Sequence, residues 1–258
     1  MLAKVIIPPN PNAFSIRSCS ETQFIQLIQK AEIGLSSFET FDKKILLIRD
    51  PRDWIISGAL FLPQEYKEIY NDSEATHNIL DLIHKKELAP KTVSFIEIMN
   101  EILSYSNNTV EDTIPGLIRG HHSYIFNFEK NLNNYVRWRY EDLVDNKSME
   151  VEKYFGFKFT KSDKQDERFK HVPRTKSYGN WRDWFTPSDI EFFKPLMSEY
   201  IEYYGYDKEW RLNLIQQINP DHASKYVENT VNLRRKAFIS NVTKDERNFK
   251  TIFQTLPI

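Results

Sequence analysis

Fifteen residues constrain the fold of this chain more than any other stretch: Lys43-Lys44-Ile45-Leu46-Leu47-Ile48-Arg49-Asp50-Pro51-Arg52-Asp53-Trp54-Ile55-Ile56-Ser57. Four consecutive apolar residues, Ile45 to Ile48, follow two lysines. A short uninterrupted run of this kind suits a strand covered on both faces. Pro51 fits the first turn of a helix, where its missing N–H costs nothing. Asp50 can cap that helix, and Asp53 sits near its positive end. The stretch therefore reads as strand, turn, helix. Arg49 then stands at the carboxyl end of a central strand, the edge at which open α/β sheets bind ligands. Ser57 follows eight residues later, within about the first two turns of the helix. If the helix packs back on the strand end, Arg49 and Ser57 can share one anion. Taken alone, the same residues read equally well as a surface arginine and an ordinary helical serine.

The rest of the chain supplies the context. A short strand, Ala3 to Ile7, is stopped by Pro8-Pro9 and Pro11. Ser20-Glu21-Thr22-Gln23 is a capping-box pattern opening a helix to about Ala31. Helices are predicted over Ser73–Lys86 and Ser94–Ser104, and within Asp112–Asn127 after Pro115-Gly116. Tyr135–Tyr140 alternates and is rich in aromatic residues, so it reads as a strand. Asp145-Asn146-Lys147 is a turn, Met149–Phe155 a short helix, and Lys161–Gly179 a polar loop with six Lys or Arg. Pro187–Tyr204 reads as a helix that Pro195 can kink. One more helix, about Ala223–Ile239, lies in the tail, and its Arg234-Arg235-Lys236 run reads as solvent-facing. Strands alternating with helices predict an α/β fold of three layers, a central parallel sheet flanked by helices. The expected division is an α/β domain over residues 1–212 and a helical tail over 213–258 packed on it or extending from it.

Composition narrows the function. At 258 residues, 40% hydrophobic and 14% aromatic, the chain has enough material for a sizeable core. The net charge of −1 gives no global reason to expect nucleic acid or an anionic membrane as a partner. Any anion site must be a local cluster of Arg and Lys. The single cysteine, Cys19, excludes intramolecular disulfides and favours a reducing compartment. No run approaches the roughly 20 apolar residues of a bilayer span, and the N-terminus is too short in apolar residues for a secretory signal. The expectation is a cytoplasmic protein without a membrane span.

Two later segments continue the theme of the first. They are Val136-Arg137-Trp138-Arg139-Tyr140-Glu141-Asp142-Leu143 and Arg174-Thr175-Lys176-Ser177-Tyr178-Gly179-Asn180-Trp181-Arg182-Asp183-Trp184-Phe185-Thr186. In this order the three segments resemble the sulfotransferases that use 3′-phosphoadenosine 5′-phosphosulfate (PAPS). The first is similar to the family's strand that ends in Arg, turns at Pro and carries Ser eight positions on. The second is similar to its Y-E-D-L strand, the third to its R-K-G-x-x-G-D-W-K-x-x-F-T segment. Tyr204-Gly205-Tyr206 matches a G-Y that commonly follows the last helix. The resemblance implies that Arg49 and Ser57 bind the nucleotide's 3′-phosphate. It places Tyr140 beside the adenine, and has Arg174 with its following backbone grip the same phosphate. It also implies a sheet related to that of nucleotide kinases, PAPS or its product PAP as cofactor, and no metal. The implied reaction is transfer of a sulfuryl group to a hydroxyl or amine of a small-molecule or carbohydrate acceptor.

The residue types suit that chemistry. A guanidinium fork binds phosphate oxygens bidentately, which an ammonium does not. Sulfuryl transfer, like phosphoryl transfer, needs positioning and cationic stabilisation of the leaving oxygen. Tyr140 offers an apolar ring and a hydroxyl for a purine edge. Arg52 is expected to pair with Asp53 or a sheet neighbour rather than to face the cleft. Trp181 and Trp184 are expected to pack their loop onto the domain. Adjacent His121 and His122 on a helix would point about 100° apart, a poor arrangement for joint metal ligation.

The chain also departs from the pattern. Lys176 stands for a glycine that would let backbone amides approach the phosphate, and Asn180 stands for Asp. The family's P-[KR]-S-G-T-T-W loop, which holds the 5′-phosphosulfate, does not occur, nor does its K-T-H segment with a general-base histidine. Arg17-Ser18-Cys19-Ser20 admits three readings: a degenerate phosphosulfate loop, a counterpart of K-T-H, or a capped helix start with a solvated arginine. No catalytic residue is assigned. The alternative function is therefore a catalytically deficient relative that binds PAP or PAPS, or acts as an interaction module. A kinase-like reading lacks G-x-x-x-x-G-K-[ST]. The family's dimerisation segment is absent at proper spacing around Lys225–Val231, so the oligomeric state is not readable.

Overall fold

The computed structural model describes residues 42–131, 133–159 and 177–254. The expected strand Ala3–Ile7, the helix from Ser20 to Ala31, the stretch Arg17-Ser18-Cys19-Ser20, Arg174 and Lys176 lie outside the described residues.

The one sheet among the described residues is a parallel pair. Strand β1, Lys44–Ile48, runs beside β2, Tyr135–Arg139, in a register that sets Lys44 opposite Tyr135 and Ile48 opposite Arg139. Helices make up most of the rest, so the described chain is broadly α/β and mainly helical. Leu46 and Ile48 are buried on one face of β1, while Ile45 is 38% exposed. The strand is thus packed on one side and only partly covered on the other, unlike the two-sided burial expected of it.

The expected helix after the strand forms as α1, Pro51–Phe61. Pro51 stands at its start, and the Asp50 carboxylate accepts the Arg52 N–H at its N-terminus. A short 3-10 turn, Leu62–Gln64, and α2, Lys67–Tyr70, lead to α3, Ser73–Leu88. Asp72 caps α3, its carboxylate accepting the Glu74 and Ala75 amides. Ser94 caps α4, Phe95–Ser104, through the Glu97 N–H. The next helix, α5, runs from Val110 to Asn131 and takes Pro115 inside it. It starts earlier than the proline suggests because its first turn is capped twice. Asn100 Oδ1 accepts the Val110 N–H, and Thr109 Oγ1 accepts the Asp112 N–H.

Helix α6, Tyr140–Val144, begins directly at the end of β2, so Tyr140 opens a helix where a strand residue was expected. Glu141 and Asp142 in its first turn complement the helix dipole. Then follow α7, Met149–Phe155, the short α8, Trp181–Trp184, and α9, Pro187–Tyr203. Thr186 and Asp189 form a capping box at the start of α9. The fully buried Asp189 also accepts the Phe95 and Ile96 amides of α4, both at 2.9 Å. One carboxylate thus fixes the N-termini of two helices. After a 3-10 turn, Pro220–His222, the last helix, α10, spans Ser224–Gln254, well beyond the expected end at Ile239. Its Tyr226, Val227 and Val231 join the same hydrophobic core as β1, α1, α3, α4, α5 and α9. Arg235, expected in solvent, donates to the Tyr70 carbonyl and to Thr76 Oγ1. No described helix is long and apolar enough to cross a membrane.

Candidate functional site

The parallel register brings the first two segments together. Because Ile48 pairs with Arg139, Arg49 and Tyr140 leave the carboxyl ends of neighbouring strands side by side. The Arg49 guanidinium lies over the Tyr140 ring, 4.5 Å from its centroid, a cation–π contact. One residue on, the Asp50 N–H donates to Glu141 Oε1 at 3.0 Å.

The described part of the third segment, from Ser177, is docked on α1 and on the turn that follows α6. Asp53 Oδ2 accepts the Gly179 N–H at 2.5 Å, and Oδ1 accepts the Trp181 N–H at 3.1 Å. The Tyr178 hydroxyl donates to the Asp145 carboxylate just beyond α6. Gly179 has φ +79°, a left-handed conformation strained for a residue with Cβ. That fixes glycine at the turn which presents both amides to Asp53. Trp181 and Trp184 are buried, as expected of residues that anchor the segment.

Tyr204-Gly205-Tyr206 also converges here. The Tyr206 N–H reaches Ile201 O, the Gly205 N–H reaches Glu202 O, and Gly205 has φ +65°. This is a Schellman C-cap of α9. The cap turns Tyr206 back so that its ring covers Arg139 and its hydroxyl donates to Glu141 Oε2. Arg139 in turn donates to the Tyr204 carbonyl. The described parts of all four sequence features therefore meet at one end of the strand pair.

The two arginines of the first segment have opposite surroundings. Arg52 is 1% exposed and pairs with Asp50, Nη2 to Oδ2 at 2.7 Å. It lies against the rings of Trp181 and Trp210 and donates to Glu209 O. Its partner is the capping residue Asp50 and not Asp53, whose two carboxylate oxygens accept the Gly179 and Trp181 amides. Arg49 is half-buried, and no ion pair or side-chain hydrogen bond among the described residues engages its guanidinium. Its Nε is buried without a partner, a donor that native proteins seldom leave unused away from functional sites.

Three carboxylates surround this cation. Burial raises Asp53 to about 6, with Asp50 adding to the rise; the two backbone amides and Arg49 oppose it. Burial also raises Glu141. Fully buried Tyr200 contacts the Arg49 backbone, and burial pushes its hydroxyl well above the usual range. His122 stacks on Tyr200 at 4.4 Å between centroids, and His121 stacks on Trp54 at 4.2 Å. Burial lowers these histidines to about 4 and about 3 respectively, so both are neutral near pH 7 and pack as aromatic rings.

Ser57 lies on the exposed face of α1, and no hydrogen bond among the described residues joins it to Arg49. Arg174 lies outside the described residues. Sequence reasoning missed Asp53, Glu141, Tyr178 and Asp145 as the links of the cluster. The only sequence signal for them was their place inside or beside the three segments. An open depression of about 570 Å³ on α3 and α4, lined by Leu82, Ser94, Ile96, Glu97, Asn100 and Glu101, shares no residue with this cluster. No group of three or more metal-ligating side chains occurs among the described residues. No family model, no curated protein and no solved structure matches the chain.

Proposed function

We propose that the strand-end cluster is the 3′-phosphate half of a PAPS site and that the protein is a sulfotransferase of three-layer α/β architecture. Arg49 is the phosphate-binding group, with Ser57 and Arg174 as its partners and Tyr140 flanking the adenine. PAPS gives up its sulfuryl group to a hydroxyl or amine of a small-molecule or carbohydrate acceptor, and PAP leaves. Atoms balance as in any group transfer: the acceptor oxygen or nitrogen bonds to sulfur, the bridging S–O bond breaks, and the acceptor proton passes to solvent or a base.

One observation supports this reading above the others. Three stretches well separated in sequence, around residues 43–57, 136–143 and 177–186, converge beside an arginine whose guanidinium makes no side-chain hydrogen bond among the described residues, at the end of a parallel strand pair. A polyanion would supply the charge-assisted hydrogen bonds that this side chain lacks. The carboxyl end of parallel strands is where open α/β folds hold ligands.

Incubation with sulfur-labelled PAPS and a panel of phenols, alcohols, amines and sugars tests the activity. Appearance of label on an acceptor, with stoichiometric PAP, is the expected result. Thermal stabilisation by PAP with no turnover on any acceptor would instead support the catalytically deficient nucleotide binder. Stabilisation by ATP with Mg²⁺ in preference to PAP would overturn both.

A further inference from the structure

Asp53 stands one turn into α1, four residues after Arg49, and is 3% exposed. A carboxylate beside the proposed anion site is an electrostatic liability, since it opposes the ligand's charge. Its geometry explains why an acid stands there. Both oxygens are used, one for the Gly179 amide and one for the Trp181 amide. Two donors separated by a single residue are matched by the two oxygens of one carboxylate. An amide side chain has only one acceptor oxygen. The charged groups around Asp53 are Arg49 and Asp50 at the strand end, Arg52 paired to Asp50, and Arg182, whose guanidinium lies over Trp181. None of these takes over the two amides.

We propose that Asp53 is the positioning residue of this site: it holds the segment Ser177–Trp181 beside Arg49, and anion binding depends on that hold. The inference rests on Arg49 being the anion-binding group. Across the segment, Tyr178 reaches Asp145, so Asp53 and Asp145 pin it from two sides, one on the α1 flank and one on the α6 flank. The consequence runs against simple charge counting. Asp53→Asn removes a negative charge next to a cation, which by Coulomb's law alone tightens an anion. Loss of one of the two backbone contacts loosens the segment and weakens it.

The test uses the full chain, with PAP as probe. Titration calorimetry compares wild type with Asp53→Asn, and amide hydrogen exchange follows Gly179 and Trp181 in both proteins. The expected result is PAP affinity lower in Asp53→Asn by roughly tenfold or more, the scale of one hydrogen bond to a charged group. Protection at the two amides should fall in the variant while its circular dichroism stays native. Wild type supplies a second readout that needs no variant: PAP should raise protection at Gly179 and Trp181. Unchanged or tighter PAP binding by a folded Asp53→Asn overturns the proposal. So does wild-type protection that ignores PAP, or amides that stay protected without the carboxylate. If wild type fails to bind PAP in the calorimeter, the nucleotide reading itself falls, and this outcome is separate from the other three.

Discussion

Two arginines three residues apart do different work, and substitution separates them. Arg52 is sealed between Asp50, Trp181 and Trp210. Arg52→Ala strands a buried carboxylate, which costs about 3–5 kcal/mol, read as a lower midpoint in urea. Arg49→Ala removes a half-buried side chain that makes no side-chain hydrogen bond among the described residues, so its stability cost stays below about 1 kcal/mol. Asp53 adds a pH signature. Its carboxyl titrates at about 6 in the folded protein against 3.8 for the unperturbed group. An acid raised on folding contributes stability that is fully present below the unfolded value and is lost as pH rises through the folded one. Wild type should therefore lose stability relative to Asp53→Asn between about pH 4 and 6, by up to roughly 3 kcal/mol. A flat difference between the two proteins across that window contradicts the assignment.

Elements of the fold are set by caps, and caps decide which of them could be foreseen. Asp189 accepts two amides of α4 and holds Thr186 at the start of α9. Asp189→Ala should cost about 3 kcal/mol, from lost caps and orphaned amides together, with the urea m-value unchanged. Gly205→Ala should cost about 1–2 kcal/mol, because the position is left-handed and a Cβ would stand 3.3 Å from Arg139 Nη2. The strand Lys44–Ile48, helix α1 and its Asp50 cap were legible, since their signals are local: an apolar run, a proline at the first turn, an acid before it. The early start of α5 was not, because Asn100 caps it from another helix. The turn of Tyr140 into a helix was also hidden, since Glu141 serves the first turn of α6 and the Asp50 amide at once. The pairing of Arg49 with Tyr140 follows only from the parallel register. The Asp53 clamp spans 126 residues, and no local pattern encodes it.

At the scale of the molecule, the proposed role of the Arg49 guanidinium, at the carboxyl end of a parallel strand pair, is to bind a nucleotide phosphate. Binding to the native state alone stabilises it by about 2.7 kcal/mol at a hundredfold excess over Kd. PAP should therefore raise the melting temperature of wild type. The direct measurement is calorimetric titration of PAP into wild type and into Arg49→Ala, with matched folding checked by urea denaturation. Wild type should bind saturably, with an affinity lower in the variant by about 1.5–3 kcal/mol, roughly 10- to 150-fold. Equal affinity of the two folded proteins, or no binding by wild type, would contradict the role proposed for Arg49.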